Sequence, residues 1–438
     1  MKLLVFAHTP PPHHGQSYMV QLMLNGFGGD RRRGKLANGP DSKPNADAGR
    51  YGIECYHVNA RLSKELEDIG DLRVGKFILL LRYCLEAIWC RVRYGVTTLY
   101  YIPAPGKPSA LYRDWMVMFI CRWVFKRVIL HWHAAGLAKW LEMVVQMRSR
   151  SITYQAMKQV DLSIVLSQYN RADAEKLFSQ RIQIVSNGIP DPCPRFDREV
   201  LPVRQARFAA RKKLLAGQPL TEEELKSAGP EPRHVRIVYL AHCTREKGVF
   251  DAVNGVFLAA KRLAERKFPI SLKLQVAGTF VSPEERAEFD RLLTLPGMSE
   301  LVQYFGFVSG ETKLKLLREA DLFCFPTYYE NENQPVNLIE AMAFGLPILT
   351  SRWRSLPELF PNNYAGLVDI RSPEQIANVL PALMTGEAGD GFREIFLRHY
   401  TIERHLSGLA DAFNSIDRPV MVEQPGPLAP AASGTMGR

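Results

Sequence analysis

Residues Pro326 to Ser351 read PTYYENENQPVNLIEAMAFGLPILTS, and this passage decides the fold. An apolar run, Leu322–Phe325, precedes it and has the length and composition of a buried strand. A polar loop follows, then Pro335 at the first turn of a helix, where proline's missing N–H is not needed. Gly345 and Pro347 close that helix before a second apolar run, Ile348–Thr350. A strand–loop–helix–strand unit of this kind is the repeat of a parallel sheet with crossover helices. It also aims free backbone N–H groups, at the positive end of a helix, out of the sheet's carboxyl edge, which suits an anion. Glu332 lies in the loop and Glu340 in the helix, eight positions apart. The helical rise places Glu340 about 7–8 Å along the axis from Pro335. Two carboxylates so separated fit two hydroxyl-bearing parts of one extended ligand.

Working outward, the same alternation repeats in both directions. Towards the N-terminus, strands are expected at Leu3–Ala7, Glu54–Val58, Thr98–Ile102, Val128–Trp132, Leu162–Val165 and Ile182–Val185. Helices are expected near Ser17–Asn25, Arg73–Arg93, Ser109–Phe125 and Ser167–Phe178. A second series of strands begins at Arg236–Ala241 and continues through Leu272–Ala277 and Leu301–Tyr304. The fold class is therefore α/β, with two Rossmann-like domains facing across a cleft. Their expected limits are 1–190, with an exposed insertion at 28–52, and 235–391. Between them, 191–234 reads as a linker with one polar helix. Residues 392–416 read as one amphipathic helix crossing back to the first domain, and 417–438 as a disordered tail.

With 438 residues and 46% apolar content, the chain can bury two cores without a staple. Its seven cysteines are scattered and lack CxxC spacing, which points to a reducing compartment and away from a structural zinc site. No run of apolar residues reaches spanning length, so a cytoplasmic protein is expected. The net charge of +11 calls for an anionic partner: a nucleoside diphosphate, an anionic bilayer, a polyanionic acceptor or nucleic acid. No compact nucleic-acid module is visible, and nucleic acid is not the expected partner. Arg31–Lys35 reads as a solvated loop. Arg91, Arg93, Arg122, Lys126 and Arg127 instead alternate with Trp89, Trp115, Phe119 and Trp123. That pattern fits a helix lying on a membrane interface, or core helices with snorkelling cations; both readings stay open.

Glu332, seven intervening residues and Glu340 in EAMAFGLPIL resemble the E-x7-E motif of the retaining glycosyltransferases of family 4, which have the GT-B fold. Further motifs fall in the family's order. Pro10–Pro12 and His13-His14-Gly15-Gln16 resemble its donor loop, with Gln16 standing where the family has a second glycine. His131-Trp132-His133 ends a strand, and the resemblance implies that His133 lies beside the donor sugar. Asn187-Gly188-Ile189 looks like the turn that closes the N-terminal domain. Leu240–Gly248 (LAHCTREKG) is similar to the motif that supplies an Arg and a Lys to the diphosphate. Lys247 matches; His242 occupies the usual Arg position, and Arg245 is the substitute.

The resemblance implies sugar transfer from a nucleoside diphosphate, with retention, to a glycan or lipid-linked acceptor of envelope polysaccharide synthesis. His133 and Glu332 are then the catalytic pair. Gly15, Gln16, Arg245, Lys247, Asn333, Gln334, Pro335, Val336 and Glu340 are the donor-binding set. No cofactor or metal is expected, and peripheral contact with an anionic membrane is one of the two open readings of the basic, aromatic helices. The rival expectations are another GT-B sugar-nucleotide enzyme such as an epimerase, a non-catalytic relative, and a basic nucleic-acid binder.

Overall fold

The computed structural model describes residues 1–11, 14–33, 49–62, 74–104, 106–229, 232–386 and 391–418. Pro12, His13, most of the expected insertion and the tail from 419 onward lie outside these.

The first sheet has six parallel strands: β1 (Lys2–Ala7), β2 (Glu54–Asn59), β3 (Thr98–Tyr101), β4 (Arg127–Trp132), β5 (Leu162–Val165) and β6 (Ile182–Ile184). Their order is β2-β1-β3-β4-β5-β6. The second holds β7 (His234–Leu240), β8 (Ser271–Ala277), β9 (Val302–Gly306), β10 (Leu322–Phe325), β11 (Ile348–Ser351) and β12 (Leu367–Val368). Its order is β12-β11-β10-β7-β8-β9, again all parallel. β10 is fully buried, as a central strand covered by helices on both faces must be. Both sheets place a reversal of strand order, where loops diverge and leave a crevice, at the edge facing the other domain. In the second sheet the reversal lies between β7 and β10, so the loops after Leu240 and Phe325 open into one space.

The stretch 191–234 is more structured than a linker. It holds three helices, Phe196–Glu199, Leu201–Leu215 and Glu222–Ser227. Basic residues of the second helix turn inward. Arg211 and Asp321, both wholly buried, pair at 2.8 Å, and Arg207 reaches the same carboxylate at 3.3 Å. Arg204 donates to the carbonyls of Phe344 and Ala320, which terminate the helix Val336–Ala343 and precede β10. Burial lowers Arg204 to about 10. The Arg-rich stretch that reads as a linker is thus a buried clamp. Arg32 behaves likewise: it pairs with Asp30 and Glu86 and donates to the His57 carbonyl, so Arg31–Arg33 is a tethered turn rather than a solvated loop.

The expected single terminal helix is two, Phe392–His399 and Ile402–Ser415. Thr401 breaks the run by capping the second helix through its hydroxyl. Phe392 and Phe396 belong to the core of the second domain; Leu406, Leu409 and Phe413 belong to that of the first. The chain therefore crosses between domains at the break. There it runs beside the earlier crossing, with Ile189 N–H donating to Tyr400 O and Ile402 N–H to Ile189 O, both at 2.9 Å. A Cβ on Gly188 would lie 2.3 Å from the Thr401 carbonyl oxygen, so the close approach of the two crossings requires glycine.

Candidate active site

The loop after β10 and the helix Val336–Ala343 form the floor of the cleft. Pro335 is extended (φ −69°, ψ 127°) and caps the helix without a side-chain acceptor; Leu338 N–H turns back to Pro335 O at 3.2 Å, which leaves the N–H groups of Val336 and Asn337 for a ligand. Glu332 is nearly buried. Its Oε2 accepts from Lys247 Nζ at 2.7 Å and from the Thr327 hydroxyl at 3.0 Å. The Lys247 ammonium also stands 4.3 Å from the Tyr329 ring centroid, a cation–π contact that orients it. Gly248, at φ +81°, follows directly and starts the helix Val249–Glu265. A Cβ there would meet Pro326 O at 2.3 Å, so this glycine lets the two loops close on each other.

Glu340 pairs with Lys313 Nζ at 2.5 Å. Lys313 lies in the first turns of the helix Gly310–Glu319, which opens from the carboxyl edge of β9. It brings a second cation to the site that no motif announced; its position after a strand's carboxyl end was the available signal. Arg245, expected in that role, is directed elsewhere. Its guanidinium pairs with Glu288, its N–H donates to Glu285 and it stacks over Phe250 at 4.6 Å, because the following helix Pro283–Leu293 presents acids to it. His242, at the motif's usual Arg position, is half-buried; burial and neighbouring Lys247 lower its pKa.

The first domain supplies the opposite wall. His14 caps the helix Gly15–Gly26, its Nδ1 accepting from Ser17 N–H. That leaves its Nε2 facing His8 Nε2 at 2.8 Å. A Cβ on Gly15 would come within 3.7 Å of Val336 Cγ2, so two helix N-termini confront each other across the cleft. Gln16 follows in the first turn of the helix, half-buried. Tyr18, two residues further on, is raised to about 12 by burial and by Glu340 opposite. His131 lies in β4 and His133 just past its end, their rings 4.2 Å apart. His131 Nδ1 meets the Tyr100 hydroxyl at 2.5 Å, and its buried Nε2 has no partner. His133 is held at about 3 by burial and by neighbouring His405 and His14, so it is neutral at physiological pH. Asp173 fixes the loop behind it by accepting from Gly136 N–H and Ala138 N–H at 2.8 and 2.7 Å. Among the described residues no three His, Cys, Asp or Glu side chains cluster as a metal ion requires.

Asn333 and Gln334, expected on the donor, join the domains instead. Asn333 Nδ2 donates to Asn170 Oδ1 at 2.7 Å, and Ser167 Oγ donates to Asn333 Oδ1 at 3.2 Å. Gln334 Oε1 accepts from Asn187 N–H at 2.5 Å. Both side chains are buried, so their amides satisfy polar groups of the first domain. This explains why a polar ENENQ loop can lie at the base of a closed crevice.

Residues 221–396 match the family model described as Glycosyl transferases group 1. The chain is 28% identical over 177 residues to the uncharacterized glycosyltransferase MJ1607 of Methanocaldococcus jannaschii, covering 40% of this chain and 41% of that protein. It is 29% identical over 175 residues to the amylovoran biosynthesis glycosyltransferase AmsK of Erwinia amylovora, covering 38% and 39%. The matched stretch thus spans about two fifths of each relative. Among solved structures, Anabaena Alr3699/HepE in complex with UDP and glucose superposes with a TM-score of 0.58 at 14% identity, covering 95% of this chain and 100% of that one. The fold is GT-B, as the two facing sheets indicate.

Proposed function

We propose that this chain is a glycosyltransferase of polysaccharide biosynthesis that moves a sugar from a nucleoside diphosphate to a glycan or lipid-linked acceptor, with retention at the anomeric carbon. The observation that carries the proposal is the pair of lysine–glutamate contacts, Lys247–Glu332 and Lys313–Glu340, set around the N-terminus of the helix Val336–Ala343. Each couples a cation suited to phosphate with a carboxylate suited to hydroxyls. The matching family model and the names of the relatives support the same reading.

In this reading an arriving diphosphate takes Lys247 from Glu332. The freed carboxylate then accepts the sugar hydroxyls, while Glu340 accepts those of the ribose. Gly15 and the N–H groups after Pro335 approach the phosphates from opposite walls, and His133, neutral, lines the sugar pocket. The bond from the anomeric carbon to the phosphate oxygen breaks, the bond to the acceptor oxygen forms, and the leaving phosphate takes the acceptor's proton. The lysines and helix N-termini stabilise the charge gathering on that phosphate without a resident metal. Glu332 Oε2 then keeps the Thr327 hydroxyl and takes on the sugar hydroxyls, a binding role that goes with same-face displacement rather than a covalent intermediate.

The test is calorimetry and product analysis with a panel of UDP-, GDP- and TDP-sugars, with and without a chelator. Saturable binding of one donor, with slow release of its sugar as the α- or β-anomer of the donor, is expected. Absence of binding to every donor refutes the proposal. Conversion of the nucleotide sugar to an isomer would reassign the chain as an epimerase.

A further inference from the structure

The helix Val74–Tyr94 is apolar on both sides. Leu80, Cys84, Ala87 and Cys90 are buried against the first sheet. Its outer face nevertheless carries Phe77, Ile78, Leu81, Leu85, Trp89 and Val92, all exposed, with Ile78 at 62% and Val92 at 78%. From Ile78 to Val92 the steps of three and four residues trace one helical stripe, turned to solvent rather than to the core. The helix Pro108–Cys121 packs alongside it and extends the surface. Tyr112 and Phe119 point outward from it, and Trp123, just past its end, is 78% exposed. Single exposed apolar side chains are ordinary, whereas a continuous band of them marks a binding surface.

Charge identifies the partner. The only carboxylates on these two helices are Glu86 and Asp114. Glu86 is paired with Arg32 at 2.5 Å and Asp114 is buried beneath Tyr101 and Arg113. Arg82, Arg93 and Lys126 are exposed beside the stripe, with Arg91 and Arg122 at its lower end. The outer faces of these two helices therefore offer aliphatic and aromatic side chains with exposed charge of positive sign alone, while the turn beyond Trp123 borders Asp161, which accepts from Val128 N–H. We propose that this surface docks on an anionic lipid bilayer, apolar side chains in the headgroup–acyl boundary and cations on the headgroups. A second copy of the same face would oppose cation to cation. Among the described residues no helix is long and apolar enough to cross a membrane, so the face lies on the bilayer.

The helix runs antiparallel to the strands, so the stripe extends from the cleft edge at Phe77 to the opposite edge at Val92. Docked this way, the cleft mouth sits beside the lipid surface. On the glycosyltransferase reading, a lipid-linked acceptor then reaches the site without leaving the bilayer.

The full chain should float with phosphatidylcholine vesicles that contain phosphatidylglycerol, remain below with phosphatidylcholine alone, and be released by high salt. The triple variant Ile78→Ser/Leu85→Ser/Trp123→Ser alters only outward side chains. It should melt like the wild type and bind UDP or GDP unchanged, yet lose about 100-fold or more in vesicle affinity. Arg82→Glu/Lys126→Glu should abolish the preference for anionic lipid. Wild-type protein that stays below with anionic vesicles, or a triple variant that floats as well as the wild type, overturns the proposal. So does a concentration-dependent dimer that the triple variant disrupts when no flotation occurs. Because nucleotide binding is read separately, failure here leaves the donor-site reading intact, and failure there leaves docking intact.

Discussion

Lys247→Met, taken with Glu332→Gln, separates the lysine's service to the fold from its service to the donor. The Nζ–Oε2 distance of 2.7 Å gives an attraction of about 6 kcal/mol at an effective dielectric near 20. Desolvation of a pair whose lysine keeps 19% exposure and whose glutamate keeps 8% offsets much of that, leaving a net coupling of about 2–3 kcal/mol. Lys247→Met strands the Glu332 carboxylate on the Thr327 hydroxyl alone, so it should cost about 3 kcal/mol. For a domain of this size that is a fall of roughly 6–12 °C in Tm. Adding Glu332→Gln removes the stranded charge and should restore most of the loss. Nucleoside diphosphate affinity should not recover: losing one charge-assisted contact to phosphate weakens Kd roughly 10- to 100-fold in both the single and the double variant. Differential scanning fluorimetry supplies the cycle and calorimetry the affinities. Additive thermal shifts, with coupling below about 0.5 kcal/mol, would refute the electrostatic account. A double variant that binds the nucleotide as the wild type does would refute the donor role.

Three further outcomes are expected. Glu340→Ala should weaken nucleoside diphosphate binding about 10-fold or more by removing a charged acceptor for the ribose, and calorimetry showing wild-type affinity would exclude that contact. His405 is held at about 4 by burial, its Nδ1–H donating to Ser186 O, so the folded state stays neutral where the unfolded chain takes up a proton. Stability should therefore be whole above about pH 6.5 and fall below it, His405 contributing up to about 1.4 kcal/mol per pH unit until about pH 4 and His133 adding to the loss in the same sense. His405→Asn should make that acid limb shallower in pH-dependent melts by its own share; an unchanged limb would place the cause elsewhere. Asp321→Ala strands the wholly buried Arg211 and should cost about 3–5 kcal/mol in thermal or urea unfolding, whereas a loss under about 1 kcal/mol would mean that the neighbouring carbonyls suffice.

Most of the architecture was legible because it is local. The alternation of short apolar runs with helical periodicity placed eleven strands within a few residues of their observed ends. β12, Leu367–Val368, escaped because two residues carry no periodicity. The site was legible in its backbone: Glu332, Glu340, His133, Gly15 and Lys247 do converge on one cleft. Lys313 and Arg245 were not, because which cation meets which carboxylate depends on helices that approach from elsewhere in the sheet. Gly310–Glu319 brings Lys313 to Glu340, while Pro283–Leu293 draws Arg245 away to Glu288.

By itself, then, the sequence determined that the chain forms two parallel α/β halves, with a strand–loop–helix unit at Pro326–Ser351 presenting two glutamates and a helix N-terminus. Periodicity and turn chemistry act within a dozen residues, and they suffice for that. Only the tertiary structure decided which side of an apolar helix meets the core. The sequence of Val74–Tyr94 allowed Trp89 and its neighbours to be buried or displayed, because residues are apolar all round the helix. Packing on a flat sheet can bury one face only, and the sheet took Leu80, Cys84 and Ala87. The same is true of Asn333 and Gln334: the family resemblance placed them on the donor, and the closure of one domain on the other gave their side-chain amides to Asn170 and Asn187.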